Sequence, residues 1–113
     1  MAKLVILESA QMDLEGIAQV HMNLAGPNSA RKITDSIYHS LSRLEQFPLP
    51  GFTPDDRELR NKGYRLVVSG NYICIYRPIA DKVFVYHIAH GASNYPVLFK
   101  RLLQIKSRNS NND

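Results

Sequence analysis

A chain of 113 residues that is 44% hydrophobic holds enough apolar material for one domain with a modest core, and too much for wholesale disorder. The apolar run near the N-terminus is short and is broken by Glu8, so neither a signal peptide nor a membrane span is expected, and the protein is placed in the cytoplasm. One cysteine, Cys74, excludes an internal disulfide framework and reads as a small buried hydrophobe.

The net charge of +4 conceals an asymmetry. Residues 1–56 carry four basic and seven acidic side chains, a net −3, whereas residues 57–108 carry ten basic and two acidic, a net +8. A basic half-chain suits a polyanion, either nucleic acid or an acidic protein partner.

In chain order, Lys3–Glu8 is rich in Val, Ile and Leu and reads as a short strand. Ser9 is positioned to cap a following helix, in which Leu14, Ile17, Ala18, His21 and Leu24 or Ala25 form one apolar stripe. His21 falls in that stripe and reads as a packed, hydrogen-bonded histidine. Gly26-Pro27-Asn28 interrupts, and Pro27 is tolerated where a second helix begins. Between Asn28 and Gln46, the residues Ala30, Ile33, Ile37, Leu41 and Leu44 step along a single helical face. The two helices predict a hairpin that needs a further surface to cover its apolar stripes.

A proline-bearing loop, Phe47–Pro54, ends this hairpin, and Asp55–Lys62 adds a helical turn or crosses the surface. Tyr64–Ser69 and Tyr72–Arg77 flank Gly70-Asn71, which closes a tight β-hairpin. The register places Ser69 opposite Tyr72, Val67 opposite Cys74 and Arg65 opposite Tyr76 on one side. The pairs Val68 with Ile73, Leu66 with Ile75 and Tyr64 with Arg77 share the other, more apolar side, which is expected to face the helices. Val83–Ala89 forms a third strand after the turn at Pro78–Lys82. Pro96 opens a terminal helix in which Tyr95, Leu98, Phe99, Leu102 and Leu103 recur at helical spacing. The expected domain spans residues 1–106, with a disordered tail at 107–113.

His87 and His90 are three apart on a strand, which sends them to opposite faces, and no zinc motif or nucleotide-binding glycine loop occurs. No metal and no cofactor is therefore expected. The remaining polar cluster comprises Arg57, Arg60, Lys62, Arg65, Arg77, His87, His90 and Tyr95. Metal-free RNA cleavage needs a base for the 2′-hydroxyl, cations for the phosphoryl oxygens and an acid for the leaving 5′-oxygen. Arginine suits the second task, and histidine or tyrosine the others. Strand-end arginines and tyrosines also snorkel from half-buried sheets without any catalytic role.

Taken in order, the motifs resemble the RelE/ParE superfamily of small bacterial toxins over about residues 3–103. They are Gly26-Pro27 ahead of Ala30; Leu44, Phe47-Pro48 and Gly51; Leu59-Arg60; the run Tyr72 to Arg77; and Val85 to His90-Gly91. The resemblance implies an α+β fold in which an N-terminal helical hairpin packs on a small antiparallel sheet. The first strand returns to the sheet's edge and a short C-terminal helix follows.

RelE-like ribonucleases carry lysines where this chain has Tyr64, Leu66 and Val68, an arginine where it has Ile73, and another near Ala92 or Ser93. His90-Gly91 followed by Tyr95 resembles the ParE branch more closely, although Ser93 and Asn94 replace its usual basic and acidic pair. The function implied is the toxin of a type II toxin–antitoxin module, neutralised by a small acidic and apolar antitoxin and directed at DNA gyrase. Two alternatives stay open: a ribosome-dependent messenger endoribonuclease, and a degenerate toxin that only binds its antitoxin.

In the ribonuclease reading His90 and Tyr95 are the acid–base candidates, and Arg65 or Arg77 the phosphate clamp. The candidate surface for antitoxin or target comprises Arg57, Arg60, Arg65, Arg77, His87, Phe99, Lys100, Arg101, Leu102 and Leu103.

Overall fold

A computed structural model describes residues 2–48, 51–91 and 93–111, with side chains as far as Leu103. Leu49 and Pro50 of the proline-bearing loop, Ala92, and Asn112 and Asp113 of the expected tail lie outside the described residues. The chain runs β1 (Lys3–Ile6), α1 (Glu8–Ala25), α2 (Pro27–Ser42), a 3₁₀ turn (Arg43–Glu45) and α3 (Arg57–Asn61). It continues through β2 (Arg65–Ser69), β3 (Tyr72–Ile79), β4 (Lys82–His90) and α4 (Tyr95–Asn111). α4 is helical past residue 106, where the sequence places the end of the domain.

One residue joins the two long helices. Gly26 adopts φ +91°, a conformation L side chains rarely reach, and its N–H bonds the Met22 carbonyl. Pro27 then opens α2, where a missing N–H costs little. The expected stripe is the one that packs inward: Ala30, Ile37 and Leu41 of α2 and Leu44 of the 3₁₀ turn are buried, and Ile33 is partly buried against the core. Ser9, expected to cap α1, lies inside it instead. Leu7 holds the cap position, and Ser9 Oγ donates to the Tyr86 carbonyl at 2.6 Å.

The sheet order is β1-β4-β3-β2. β2, β3 and β4 form an antiparallel meander, with Ser69 opposite Tyr72, Val67 opposite Cys74 and Arg65 opposite Tyr76, as the tight turn requires. β1 returns to the edge as expected, but it lies parallel to β4, so the sheet is mixed. The long crossover through the helical hairpin, β2 and β3 brings the chain back in the same direction.

The apolar side of the β2–β3 hairpin does not face the helical hairpin, contrary to expectation. α1 and α2 cover Val67, Tyr72, Cys74, Tyr76, Val83, Val85 and Ile88, while Leu66 and Ile75 point away. Those two join Leu59, Tyr64 and Phe99 in a second core beneath α3 and α4. Both faces of the sheet are therefore covered. The tyrosines made the first side look polar, yet Tyr72 and Tyr76 are buried there as large apolar bodies.

A register shift between β3 and β4 sets up the site. Ile75 pairs with His87 and Tyr76 with Val85, leaving Tyr86 as an extra residue. Tyr86 and His87 consequently both turn toward α4, where each contacts the Phe99 ring.

Candidate functional site

The four residues considered for RNA cleavage stand in four different settings. Arg65 is half-buried on the hairpin side of the sheet and donates from Nη2 to the Gly51 carbonyl at 2.6 Å. Arg77 lies on the opposite face. Its guanidinium stacks over Tyr64 and Tyr86, with 4.8 and 5.4 Å to the ring centroids, and Nη2 donates to the Tyr86 hydroxyl at 2.9 Å. His90 is exposed at the end of β4, its ring edge-on to Tyr72, whose hydroxyl lies 3.1 Å from Nε2 of His21. Tyr95 opens α4 on the other side of the sheet. Burial, together with Asp55 and Asp56 nearby, raises its phenol above the ordinary 10, so it stays protonated at neutral pH.

The binding candidates divide by exposure. Arg57, Arg60, Arg101 and Leu102 are exposed along α3 and α4. Phe99 is a core residue, stacked edge-on against Tyr64, Tyr86 and His87. Lys100 is engaged by Asp56 at 2.8 Å and Glu58 at 3.6 Å, which ties α4 to α3, and Leu103 is half-buried. The hydrogen bond from Lys100, and then that from the Leu59 N–H, hold the Asp56 carboxyl below its ordinary value. Burial pushes the Cys74 thiol up to about 12, which removes it from nucleophilic chemistry at neutral pH.

One pairing was not anticipated from the sequence. Asp13 of α1 reaches over the edge of β4, where its Oδ2 lies 2.8 Å from Nδ1 of His87 and accepts the Ile88 N–H at 2.9 Å. This pair borders a pocket of about 140 Å³ lined also by Ile75, Tyr95, Leu98, Phe99 and Leu102. On the other side of Asp13 and Ile88 lies an open groove of about 450 Å³ bordered by Met12, Gly16, Ile17, Val20, Tyr72 and His90. No group of three or more metal-binding side chains occurs among the described residues, and no helix among them is long and apolar enough to cross a membrane.

This architecture is that of two solved toxin–antitoxin proteins. The chain is 21% identical to one from the chromosomal ParDE system of P. aeruginosa, covering 80% of this chain and 96% of that one with a TM-score of 0.68. It is 20% identical to one from the RelBE2 toxin–antitoxin complex of Mycobacterium tuberculosis, covering 79% and 96% with a TM-score of 0.60. No curated protein sequence matches the chain closely enough to count as a relative. Residues 4–95 match the family model described as the ParE toxin of the type II toxin–antitoxin system parDE. The chain belongs to this ParE toxin family, and it is accordingly a type II toxin of the ParE/RelE superfamily.

Proposed function

We propose that the protein arrests growth in the cytoplasm by inhibiting DNA gyrase, and that a small acidic, apolar antitoxin neutralises it. The dispersal of Arg65, Arg77, His90 and Tyr95 carries this reading. Two of the four lie on opposite faces of the sheet, and both arginines are held by bonds within the protein. Transition-state stabilisation at a phosphodiester needs cations aimed at one point, whereas inhibiting a protein target needs only a complementary surface. Arg57, Arg60, Arg101 and Leu102 supply basic and apolar contacts on the exposed side of α3 and α4. The +8 charge of residues 57–108 favours an acidic antitoxin there.

Ribosome-dependent messenger cleavage remains the second reading, and one observation favours it. Asp13 orients His87 beside a pocket that Tyr95 also lines, which is an acid–base arrangement. No lysine or arginine lines that pocket to balance a phosphate.

Induction in cells separates the readings. The proposal expects DNA-damage signalling with bulk messenger intact, and rescue by the antitoxin encoded beside it. Rapid messenger loss without DNA damage would overturn it.

A further inference from the structure

β2 is an outer strand of the sheet, and its outward edge is only half covered. Across the two-residue turn, Ser69 with Tyr72, Val67 with Cys74 and Arg65 with Tyr76 are the hydrogen-bonded pairs. Leu66 and Val68 therefore turn their N–H and C=O groups away from β3. Leu66 exchanges both with Phe52, at 2.9 Å in each direction. Val68, the next outward position, has no such partner among the described residues, so its N–H and carbonyl stand open together.

Strand edges of this kind are usually blunted by lysine, proline or a covering segment. Here the surroundings are apolar: Val68 is 49% exposed and Phe47 61%. Beside the open pair lies a pocket of about 220 Å³ lined by Ser40, Arg43, Phe47, Val67 and Val68. Arg43 is the one charged residue of that lining, and its guanidinium has no hydrogen-bond or ion-pair partner among the described residues. No carboxylate lines the pocket to balance it.

The open backbone pair and the unbalanced arginine select one kind of occupant. An N–H and a C=O on a strand edge are satisfied together by another extended backbone. Side chains of an added strand alternate between the two faces of the sheet. One set would lie on the α2 side, where Ser40 and Arg43 favour a carboxylate. The other would lie beside the exposed Val68, which favours an apolar residue. β2 itself carries no acid, so a second copy adding the same strand would leave Arg43 unbalanced. We propose that the β2 edge at Val68 is a strand-addition site for an extended segment of another protein in which acidic and apolar residues alternate. The inference goes beyond the gyrase reading, since it concerns a surface apart from α3 and α4 and holds whether or not the chain is toxic.

The probe is a blocked peptide of roughly seven alternating valine and glutamate residues, long enough to pair across this edge. It is titrated into the isotope-labelled full chain and followed by amide NMR. The Val68 amide is expected to shift and to gain protection from hydrogen exchange, with binding that weakens as salt rises. Val68→Pro removes the outward N–H without touching a β2–β3 bond, and should weaken binding roughly tenfold, read at the Val67 and Ser69 amides. Arg43→Gln should weaken it about two- to fivefold and erase the preference for the glutamate peptide over its lysine counterpart. Circular dichroism checks both folds, and Arg43 is exposed, so its variant keeps the test open if Val68→Pro does not fold. A Val68 amide that neither shifts nor gains protection at millimolar peptide overturns the proposal, as does equal binding of the glutamate and lysine peptides to the native chain. Protection of Val68 that rises with protein concentration alone assigns the edge to a second copy and overturns it as well.

Discussion

Asp13 and His87 are 74 residues apart in sequence, yet Oδ2 of one lies 2.8 Å from Nδ1 of the other. The same carboxylate oxygen accepts the Ile88 N–H, so a single side chain both holds a histidine and closes the free edge of a strand. Asp13→Ala leaves a donor on β4 without its partner. Hydrogen bonds to charged groups contribute about 1.5–3 kcal/mol, and a loss in that range is expected in urea unfolding. Asp13→Asn keeps an acceptor for the Ile88 N–H and should cost clearly less. Equal losses in the two variants would show that the edge bond contributes little.

α4 separates a residue that holds the fold from one available for function. Phe99 is 2% exposed and packs with Leu59, Tyr64, Leu66 and Ile75, so Phe99→Ala should cost about 3–5 kcal/mol. Leu102 is exposed, and Leu102→Ala should leave stability within about 0.5 kcal/mol of native while reducing toxicity. Undiminished growth arrest by a stable Leu102→Ala protein would remove this side of α4 from the target surface.

The attachment of α4 to α3 should depend on pH at both ends of the scale. The folded protein holds Asp56 below its ordinary 3.8, so its contribution is present above that value and fades as pH falls through the folded pKa. Lys100 is raised above its ordinary 10.5, chiefly by the Asp56 hydrogen bond. Its contribution is present below 10.5 and fades as pH rises through the folded pKa. A Lys100→Met variant should therefore differ from the native chain in melting temperature at neutral pH and converge with it toward acid. A difference that stays constant below pH 3.8 would contradict this pairing.

Ala80 sits at φ +55° in the turn between β3 and β4, the only non-glycine residue with positive φ among those described. Left-handed backbone costs an L-residue about 1–2 kcal/mol. Ala80→Gly removes that strain and also loosens the unfolded chain, so a net gain of about 0.5–1 kcal/mol is expected. A loss of stability on thermal melting would mean that the turn relaxes in solution.

Much of the fold was legible because it is written in local patterns. Ala30, Ile37 and Leu41 mark the buried face of α2, Leu44 continues it in the 3₁₀ turn, and Gly70-Asn71 fixes the β2–β3 register through turn geometry alone. His21 meets the Tyr72 hydroxyl, as its place in the apolar stripe of α1 suggested. The choice of sheet face went wrong because Tyr72 and Tyr76 count as polar in a simple pattern but bury their rings against the hairpin. The Asp13–His87 pair was invisible for a different reason. It depends on the Tyr86 bulge and on where β1 ends, neither of which has a local sequence signal. Arg77 shows the same limit, since spacing placed it on a face but could not reveal that Tyr64 and Tyr86 hold its guanidinium.

The most direct test of the central claim is DNA supercoiling by purified gyrase in the presence of the purified chain. Supercoiling is expected to fall as the protein is added and to recover when the cognate antitoxin is supplied. Undiminished supercoiling at a large excess of folded protein, with messenger cut on translating ribosomes by the same preparation, would contradict it.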